Sequence, residues 1–361
     1  MAGSAKTGQY GKAYLPFSKL YGDDEAVDAC IAIEQLCDAG AISTLLSTFI
    51  EPLQSMADEH GRLHTSININ TETGRLSSRR PNLQNQPALE KDRYQIRKCF
   101  AAEEGNVLIV ADYGQLELRL LAHMSRCKSM IDAFATGGDF HSRTAVGMYP
   151  EIAKEVEKGD LLLEWDASKG VAPAPVLKDK YSMERRRAKT LNFSIAYGKT
   201  ARGLAIDWET SVAEAKETVD RWYADRWEVK AWQEETIRRA ALTGYTKTLM
   251  GRLRRLPGIR SKRRGERTHA ERAAINTPLQ GGAADIVMAA MLRIEQDELL
   301  RKMGYKQLLQ VHDELILEGP EQFADEALAR VVELMTKPIN RELLIELPVD
   351  AEYAKTWGDA K

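Results

Sequence analysis

An α+β fold built on an antiparallel sheet is what this sequence predicts, from three observations. Val107, Leu108, Ile109, Val110 and Ala111 form an unbroken apolar run that ends on the carboxylate of Asp112, the pattern of a strand buried on both faces. Lys306 to Glu318, KQLLQVHDELILE, sets apolar runs on either side of His312-Asp313-Glu314, which predicts a β-hairpin with polar residues at its tip. Tyr181 to Gly198, YSMERRRAKTLNFSIAYG, repeats Arg185, Lys189, Phe193 and Tyr197 at four-residue intervals, one slowly drifting face of a helix.

These three elements carry chemistry. An Asp at a strand end more often just begins a turn. A second acid, Asp313, delivered by a second rigid strand end changes that reading. Two such carboxylates can hold a pair of divalent ions roughly 3.5–4 Å apart, the geometry that clamps attacking and leaving oxygens in phosphoryl transfer. Glu314 is acidic and adjacent, a weaker ligand candidate. The stripe from Arg185 to Tyr197 is roughly 18 Å long at about 1.5 Å per residue, with cations at one end and rings at the other. A nucleoside triphosphate has the same polarity: phosphates for Arg and Lys, base and sugar for the rings.

Taken in order, residues 1–22 are rich in Gly, Ser, Ala and Tyr and read as irregular. Asp23 or Asp24 caps a helix to about Cys37, and a second helix follows from about Ile42 to Leu53. Leu63, Thr65, Ile67 and Ile69 alternate with polar residues, as in a half-buried strand. Thr73 to Pro87 is turn-rich and basic, with Arg75, Arg79, Arg80, Asn82, Gln84 and Asn85. Gly137 to His141 forms a tight turn before a short helix. The segment at about 150–181, with Pro173 and Pro175, reads as a surface insertion. Ser211 begins a long amphipathic helix to about Leu242, with Val219, Trp222, Trp227, Val229 and Trp232 on or near its buried side. Arg252 to Arg267 carries eight cations against one acid, Glu266, a candidate for phosphate contacts. Asn276-Thr277-Pro278 punctuates the chain between two helices, Gly304 stops the second, and Pro348 to Ala351 forms the last strand. Arg272, Asn276 and Gln280 share one helix face.

Composition narrows the class. With 361 residues, 43% hydrophobic and 29% charged, the chain can build two domains or one with an inserted subdomain. A net charge of −2 does not advertise nucleic acid, so any such contact must come from local patches. Cys30, Cys37, Cys99 and Cys127 lack CxxC spacing and read as reduced, buried thiols, not a zinc site or a disulfide frame. No stretch reaches the length of a membrane span, and the first twenty residues resemble neither a signal peptide nor a convincing transit peptide.

DYGQLELR (Asp112–Arg119), RRRAKTLNFSIAYG (Arg185–Gly198) and LQVHDELILE (Leu309–Glu318) resemble the three polymerase motifs of the family A DNA polymerases, the bacterial polymerase-I type. TGRLSSRRPNLQNQP (Thr73–Pro87) and ERAAINTPLQGGAADIVM (Glu271–Met288) resemble two further blocks, in family order. LLLEW and VAPAPVLKDKY, between Tyr149 and Met183, resemble the plant and algal organellar branch more than the bacterial one.

The resemblance implies a right-hand polymerase with an antiparallel palm and helical fingers, the thumb largely absent and no exonuclease domain. It divides the chain into an N-terminal thumb/palm remnant (1–60), palm (61–135), fingers with the insertion at about 150–181 (136–265) and palm again (266–361). Two Mg²⁺ would bind Asp112, Asp313 and the Tyr113 carbonyl. Arg185, Lys189 and His141 would meet phosphates, with Lys189 also a catalytic proton donor. Gln115, Glu117, Phe193 and Tyr197 would complete the nucleotide site, Glu117 as a steric gate beside the 2′-carbon. Arg75, Asn82, Gln84, Arg272, Asn276, Gln280 and His312 would contact the DNA primer-template. The implied function is DNA synthesis from deoxynucleoside triphosphates by a monomer, free of membrane, in mitochondrion or plastid. Two rival readings are an incomplete fragment that only binds DNA and a single-subunit RNA polymerase, the latter disfavoured by Glu117 and Phe193.

Overall fold

The computed structural model describes residues 14–87, 94–137, 139–165 and 170–360, so the expectation of irregular chain over residues 1–13 and the Gly138 part of the expected turn lie outside it. The chain divides into two units, Met1–Ile67 with Ser78–Gln86, and Asn68–Ser77 with Pro87–Lys361.

The first unit is mostly helical. Residues expected to be irregular form α1 (Tyr14–Tyr21). The two expected helices are one run: α2 (Asp23–Leu45) passes through a π turn, Leu46–Ile50, into α3 (Glu51–Met56). Gly40 costs a helix only about 1 kcal/mol relative to alanine, and Pro52 follows a turn where regular bonding is already interrupted. Asp23–Met56 is also long and apolar enough to cross a membrane by length and composition: an 18-residue window of it has a mean hydropathy of 1.4, with 6% of that window buried. That corrects the expectation that no stretch reaches span length. Its Ala, Ile, Leu and Cys residues lie between sparse charges, so the window mean is high without an unbroken apolar block. The strand expected from Leu63 is only β1 (Ser66–Asn68), laddered with β2 (Ser77–Arg79). Ile67 and Ile69 are exposed rather than half-buried.

The second unit is organised by β3 (Asn106–Tyr113). Val107, Ile109, Ala111 and Tyr113 join the main core on one face, while Leu108 and Val110 pack with Val311, Ile316 and Trp357 on the other. Burial on both faces is therefore as the apolar run predicts. Helices α4 (Leu116–Ser125), α5 (Lys128–Ala135), α6 (Phe140–Met148) and α7 (Pro150–Lys158) follow. The insertion holds α7, a parallel bridge Leu162–Val176 and the one-turn α8 (Leu177–Lys180). It has a small core of Ile152, Leu161 and Leu177 against Ala145 and Ala188.

Next comes α9 (Ser182–Ala196), the basic-aromatic helix, then α10 (Ala201–Trp208). The single helix expected from Ser211 is two, α11 (Val212–Asp225) and α12 (Trp227–Thr243). Ser211 caps the first as expected. The break falls at Arg226, whose guanidinium stacks on the rings of Trp222 and Phe140. That break turns Trp227 outward, 66% exposed, whereas Trp222 is buried. A ribbon of β4 (Tyr245–Lys247) and β5 (Leu253–Arg255) precedes α13 (Arg264–Gln296).

Helix α13 runs 33 residues straight through Pro278, where two helices were expected. A proline inside a helix leaves the carbonyl four residues back without its donor. Here that carbonyl, Ala274 O, accepts from the Thr246 hydroxyl at 3.2 Å. The break comes instead at Asp297, whose side chain caps α14 (Glu298–Met303) through the Leu299 and Leu300 amides. Gly304 then ends α14 in a left-handed conformation. The expected hairpin is β6 (Lys306–Val311) and β7 (Glu314–Pro320). After α15 (Ala324–Thr336), β8 (Val349–Ala354) closes an antiparallel sheet in the order β6-β7-β3-β8. The four cysteines are free, but only Cys30 and Cys127 are buried; Cys37 and Cys99 are exposed.

Thr246→Val keeps shape but removes the donor to a buried carbonyl, so it should destabilise the chain by about 1–3 kcal/mol, whereas Thr246→Ser should cost less. Urea unfolding of the three proteins checks this. An unchanged midpoint for the valine variant would show that the helix does not need this bond to run through Pro278.

Candidate active site

The two acids predicted to work together are neighbours in the sheet. Register places Asp112 of β3 opposite Glu314 of β7, and the Tyr113 amide donates to the Asp313 carbonyl at 3.2 Å across the tip. His312, beside it, takes a left-handed backbone, φ 55, so the hairpin closes in a tight turn and puts Asp313 at the end of β3. Glu314 points elsewhere: it is buried and accepts from the Trp357 indole at 2.7 Å. A third acid, Asp350 of β8, lies in register with Asp112; nothing in the sequence marks it out beyond its place in the last strand.

Glu117, in the first turn of α4, is buried and accepts from both the Arg75 guanidinium and the Tyr197 hydroxyl. Arg75 also lies 3.8 Å from Asp313. It therefore sits among the acids, a placement that the sequence alone does not show. Burial pushes the Asp313 carboxyl up to about 7, with Glu117 and Asp112 adding to the rise and Arg75 opposing it. Burial, followed by the Glu117 charge, raises Tyr197 well above the ordinary phenol range, so its hydroxyl stays a donor. The Tyr113 side chain is not in this cluster; its hydroxyl donates to Met335 O at 2.7 Å in the core.

The loop that carries Arg75 is riveted to α13. Gly74 has φ +83 with the Arg252 guanidinium against it. Arg252 donates to Thr73 O and Gly281 O, each at 3.0 Å, and to the buried Asp285 carboxylate at 2.7 Å. Asp285 also accepts the Met250 amide. Arg254 bonds Thr277 and Glu72, and Arg260 bonds the carbonyls of Ala241 and Leu242. Three cations of the basic run, Arg252, Arg254 and Arg260, are thus bonded within the fold, while Arg255, Lys262, Arg263, Arg264 and Arg267 are exposed.

Along α9 the predicted stripe is present. Lys189 is exposed, Arg185 and Phe193 are half-buried, and Tyr197 sits at the helix end. The Phe193 and Tyr197 rings stack at 6.2 Å, and Phe193 lies 5.8 Å from the His141 ring. Arg185 is paired with Asp139, which also caps α6 at the His141 amide and accepts from Ser142. Sequence reasoning passed over Asp139; an Asp two residues ahead of His141 at a helix start was the available signal. His141 is buried and bonds Asn192, another residue the sequence reading missed. Gly198, φ +68, packs against α13: a Cβ there would meet Arg272 Cγ at 3.4 Å. Arg272 is exposed, with Asn276 and Gln280 half-buried farther along α13. Gln115 takes a left-handed backbone ahead of α4. Its side-chain oxygen and that of Asn276 are buried acceptors with no hydrogen-bond partner among the described residues. Asn82 and Gln84 belong to the first unit.

The sequence model of DNA polymerase family A matches residues 23–160 and 168–359. The chain is 56% identical to DNA polymerase I A, chloroplastic/mitochondrial, of Arabidopsis thaliana, over 98% of this chain and 34% of that protein. It is 53% identical to DNA polymerase I B, mitochondrial, of Oryza sativa subsp. japonica, over 98% of this chain and 35% of that protein. A thermostable DNA polymerase I of Thermus filiformis is 37% identical over 99% of this chain. The chain thus spans about a third of the length of the plant relatives it matches. A solved structure, the POL domain of Pol1 from M. smegmatis in complex with DNA primer-template and dNTP, matches with TM-score 0.78 at 33% identity, covering 96% of this chain and 56% of that one. The higher identity to the plant organellar enzymes bears out the likeness read from the insertion. A sheet that brings Asp112 to Asp313, a basic-aromatic helix beside it and a match over nearly all of its length place this chain in DNA polymerase family A.

Proposed function

We propose that this chain carries out template-directed DNA synthesis, transferring a deoxynucleotide to a primer 3′-hydroxyl. The observation that carries the reading is the convergence of Asp112 and Asp313 at the mouth of a nucleotide-shaped stripe, Arg185–Lys189–Phe193–Tyr197. We assign 61–135 and 266–361 to the palm, which together hold all four strands of the sheet, and 136–265 to the fingers, which hold α6 to α12. The plant relatives' names support a place in mitochondrion or plastid.

The donor set suits Mg²⁺. Asp112, Asp313 and the Tyr113 carbonyl are hard oxygen ligands, and the Asp313 carboxyl, raised first by burial and further by Glu117 and Asp112, would be drawn back to its charged form by a cation. Among the described residues, no group of three or more His, Cys, Asp or Glu side chains could hold a metal by itself. Two carboxylates and a carbonyl leave positions for water and triphosphate oxygens, the usual arrangement for Mg²⁺. When bound, two such ions supply a lowered pKa for the 3′-hydroxyl and charge neutralisation at the triphosphate.

The chain's own residues do the remainder. Lys189, exposed on α9, meets the triphosphate as a cation and is placed to hand a proton to the leaving group. Arg185 reaches phosphate by exchanging Asp139 for it. Phe193 and Tyr197 offer ring faces to base and sugar. Glu117, fixed from two sides by Arg75 and Tyr197, is a rigid acid against which a 2′-hydroxyl would collide, and this favours deoxyribonucleotides over the RNA polymerase reading. Arg272, Asn276, Gln280 and His312 would contact primer and template, and Asn82 and Gln84 would make backbone and minor-groove contacts of their own.

Asp112→Asn and Asp313→Asn should each abolish primer extension while leaving primer-template affinity within a few-fold, because each removes a charged ligand and keeps the shape. Extension and binding assays on the purified chain decide it; incorporation above background in either variant would sink the two-acid assignment. Wild-type chain that binds duplex but extends nothing would instead favour the incomplete-fragment reading.

Glu117→Ala should lower the preference for deoxy- over ribonucleotides by about tenfold or more, read as the ratio of kcat/KM values. If that ratio does not move, Glu117 is not the wall beside the 2′-carbon.

A further inference from the structure

The imidazole of His141 can carry its proton on either ring nitrogen, and the hydrogen bonds around it decide which. Asn192 is fully buried in the middle of α9. Its Nδ2 lies 3.1 Å from His141 Nδ1 and donates to Thr144 Oγ1 at 3.0 Å. Its Oδ1 accepts from the Trp222 indole Nε1 at 2.9 Å. Thr144 in turn donates to Phe140 O at 3.0 Å.

The direction of this chain is forced. An indole N–H can only donate, so the Asn192 oxygen must face Trp222 and the amide nitrogen must face His141. Turning the amide over would set two donors against each other at 2.9 Å and leave a buried polar group unsatisfied, at a cost of about 1–3 kcal/mol. With a donor facing Nδ1, that nitrogen must hold its lone pair, and the ring proton must sit on Nε2. His141 Nε2 makes no hydrogen bond to the described residues, so its N–H is available to a ligand. The charges acting on His141 are Asp139 on its own turn and Arg185 and Lys189 on α9. An anion drawn in by the two cations would meet that N–H.

We propose that Asn192, oriented by Trp222, is a positioning residue that holds His141 in the Nε2–H tautomer, so that a neutral imidazole offers a donor to the triphosphate. This rests on the reading that the stripe binds a nucleoside triphosphate. Neutrality is set by the same surroundings: burial lowers the pKa to about 4, Arg185 and Lys189 push the same way, and Asp139 opposes them. Around neutral pH the ring has one proton, and its location is therefore the whole of its function.

The test is carried out on the chain with no substrate first. Histidine-labelled protein is examined by long-range proton–nitrogen NMR between about pH 6 and 8, the range in which an ordinary histidine titrates. His141→Gln identifies the His141 signals among the six histidines. Wild type should show the Nε2–H tautomer throughout. Trp222→Phe removes the group that orients the amide and should give a mixture of tautomers. Asn192→Asp puts an acceptor where the donor was; His141 should then hold a proton on Nδ1 and titrate at higher pH. In primer extension, that variant should show a KM for deoxynucleotide that rises several-fold with pH as the Nε2 proton is lost, while wild type stays flat.

An Nδ1–H signal in wild type overturns the proposal, and so does an Nε2–H tautomer that persists unchanged in both variants. If Asn192→Asp does not fold, the wild-type and Trp222→Phe spectra still decide it. Because the spectra need no catalysis, a chain that shows the tautomer but extends no primer would refute the polymerase reading and leave the Asn192 assignment standing.

Discussion

Negative charge crowded at one end of a sheet is the constraint on which the rest of this structure turns. Asp112 and Asp313 are brought together by the pairing of β3 with β7, and Glu117 joins them from the first turn of α4. Two like charges about 4 Å apart repel by about 4 kcal/mol at an effective dielectric of about 20. The rise of Asp313 toward neutrality comes first from burial, with repulsion from Glu117 and Asp112 adding to it. Arg75 offsets part of it, bonded to Glu117 and 3.8 Å from Asp313. Its position is in turn held by Gly74, Arg252 and the buried Asp285, so a charge problem at the sheet edge reaches well into α13. A divalent cation, if bound there, would neutralise more of that charge than one guanidinium does.

Helix α13 has the complementary task of staying continuous. It backs the sheet with Leu279, Ala283, Ile286 and Val287 and carries Arg272, Asn276 and Gln280 on one face. Pro278 threatens that continuity, and the fold answers from outside the helix. Thr246 caps the released carbonyl of Ala274, and the Thr277 hydroxyl accepts from Arg254 while donating to Ala273 O. The β4–β5 ribbon, which supplies Thr246 and Arg254, is thus a brace for the helix more than a surface of its own. This is also why Arg252 and Arg254, two of the eight cations of the basic run, are bonded within the fold.

A second set of buried polar contacts fixes α9. Asn192 ties it to α6 through His141 and Thr144 and to α11 through Trp222. Gln233 of α12 donates to Ile195 O near the end of α9 and accepts from the Tyr223 hydroxyl. Networks of this kind are stabilising when their members are satisfied; here His141 Nδ1 and both polar atoms of the Asn192 and Gln233 amides have partners. They hold the basic-aromatic stripe at a defined angle to the acids, which apolar packing alone would leave free to slide.

By itself the sequence determined β3, the β6–β7 hairpin, α9 and the last strand, along with the acids at the strand ends and the order of cations and rings on the stripe. Each of these follows from side-chain periodicity over a few residues, which is local and therefore legible. Only the tertiary structure decided that Glu314 turns to Trp357, that Arg75 joins the acids, that Arg185 is held by Asp139 and that His141 is buried against Asn192. It also decided that Gly40 and Pro278 do not break their helices, whereas Arg226 does. The physical reason is common to all of them. A long charged side chain, a freed carbonyl or an imidazole takes its state from whatever donor or acceptor arrives through space. Those partners come from elements far away in the chain, where no periodicity reaches.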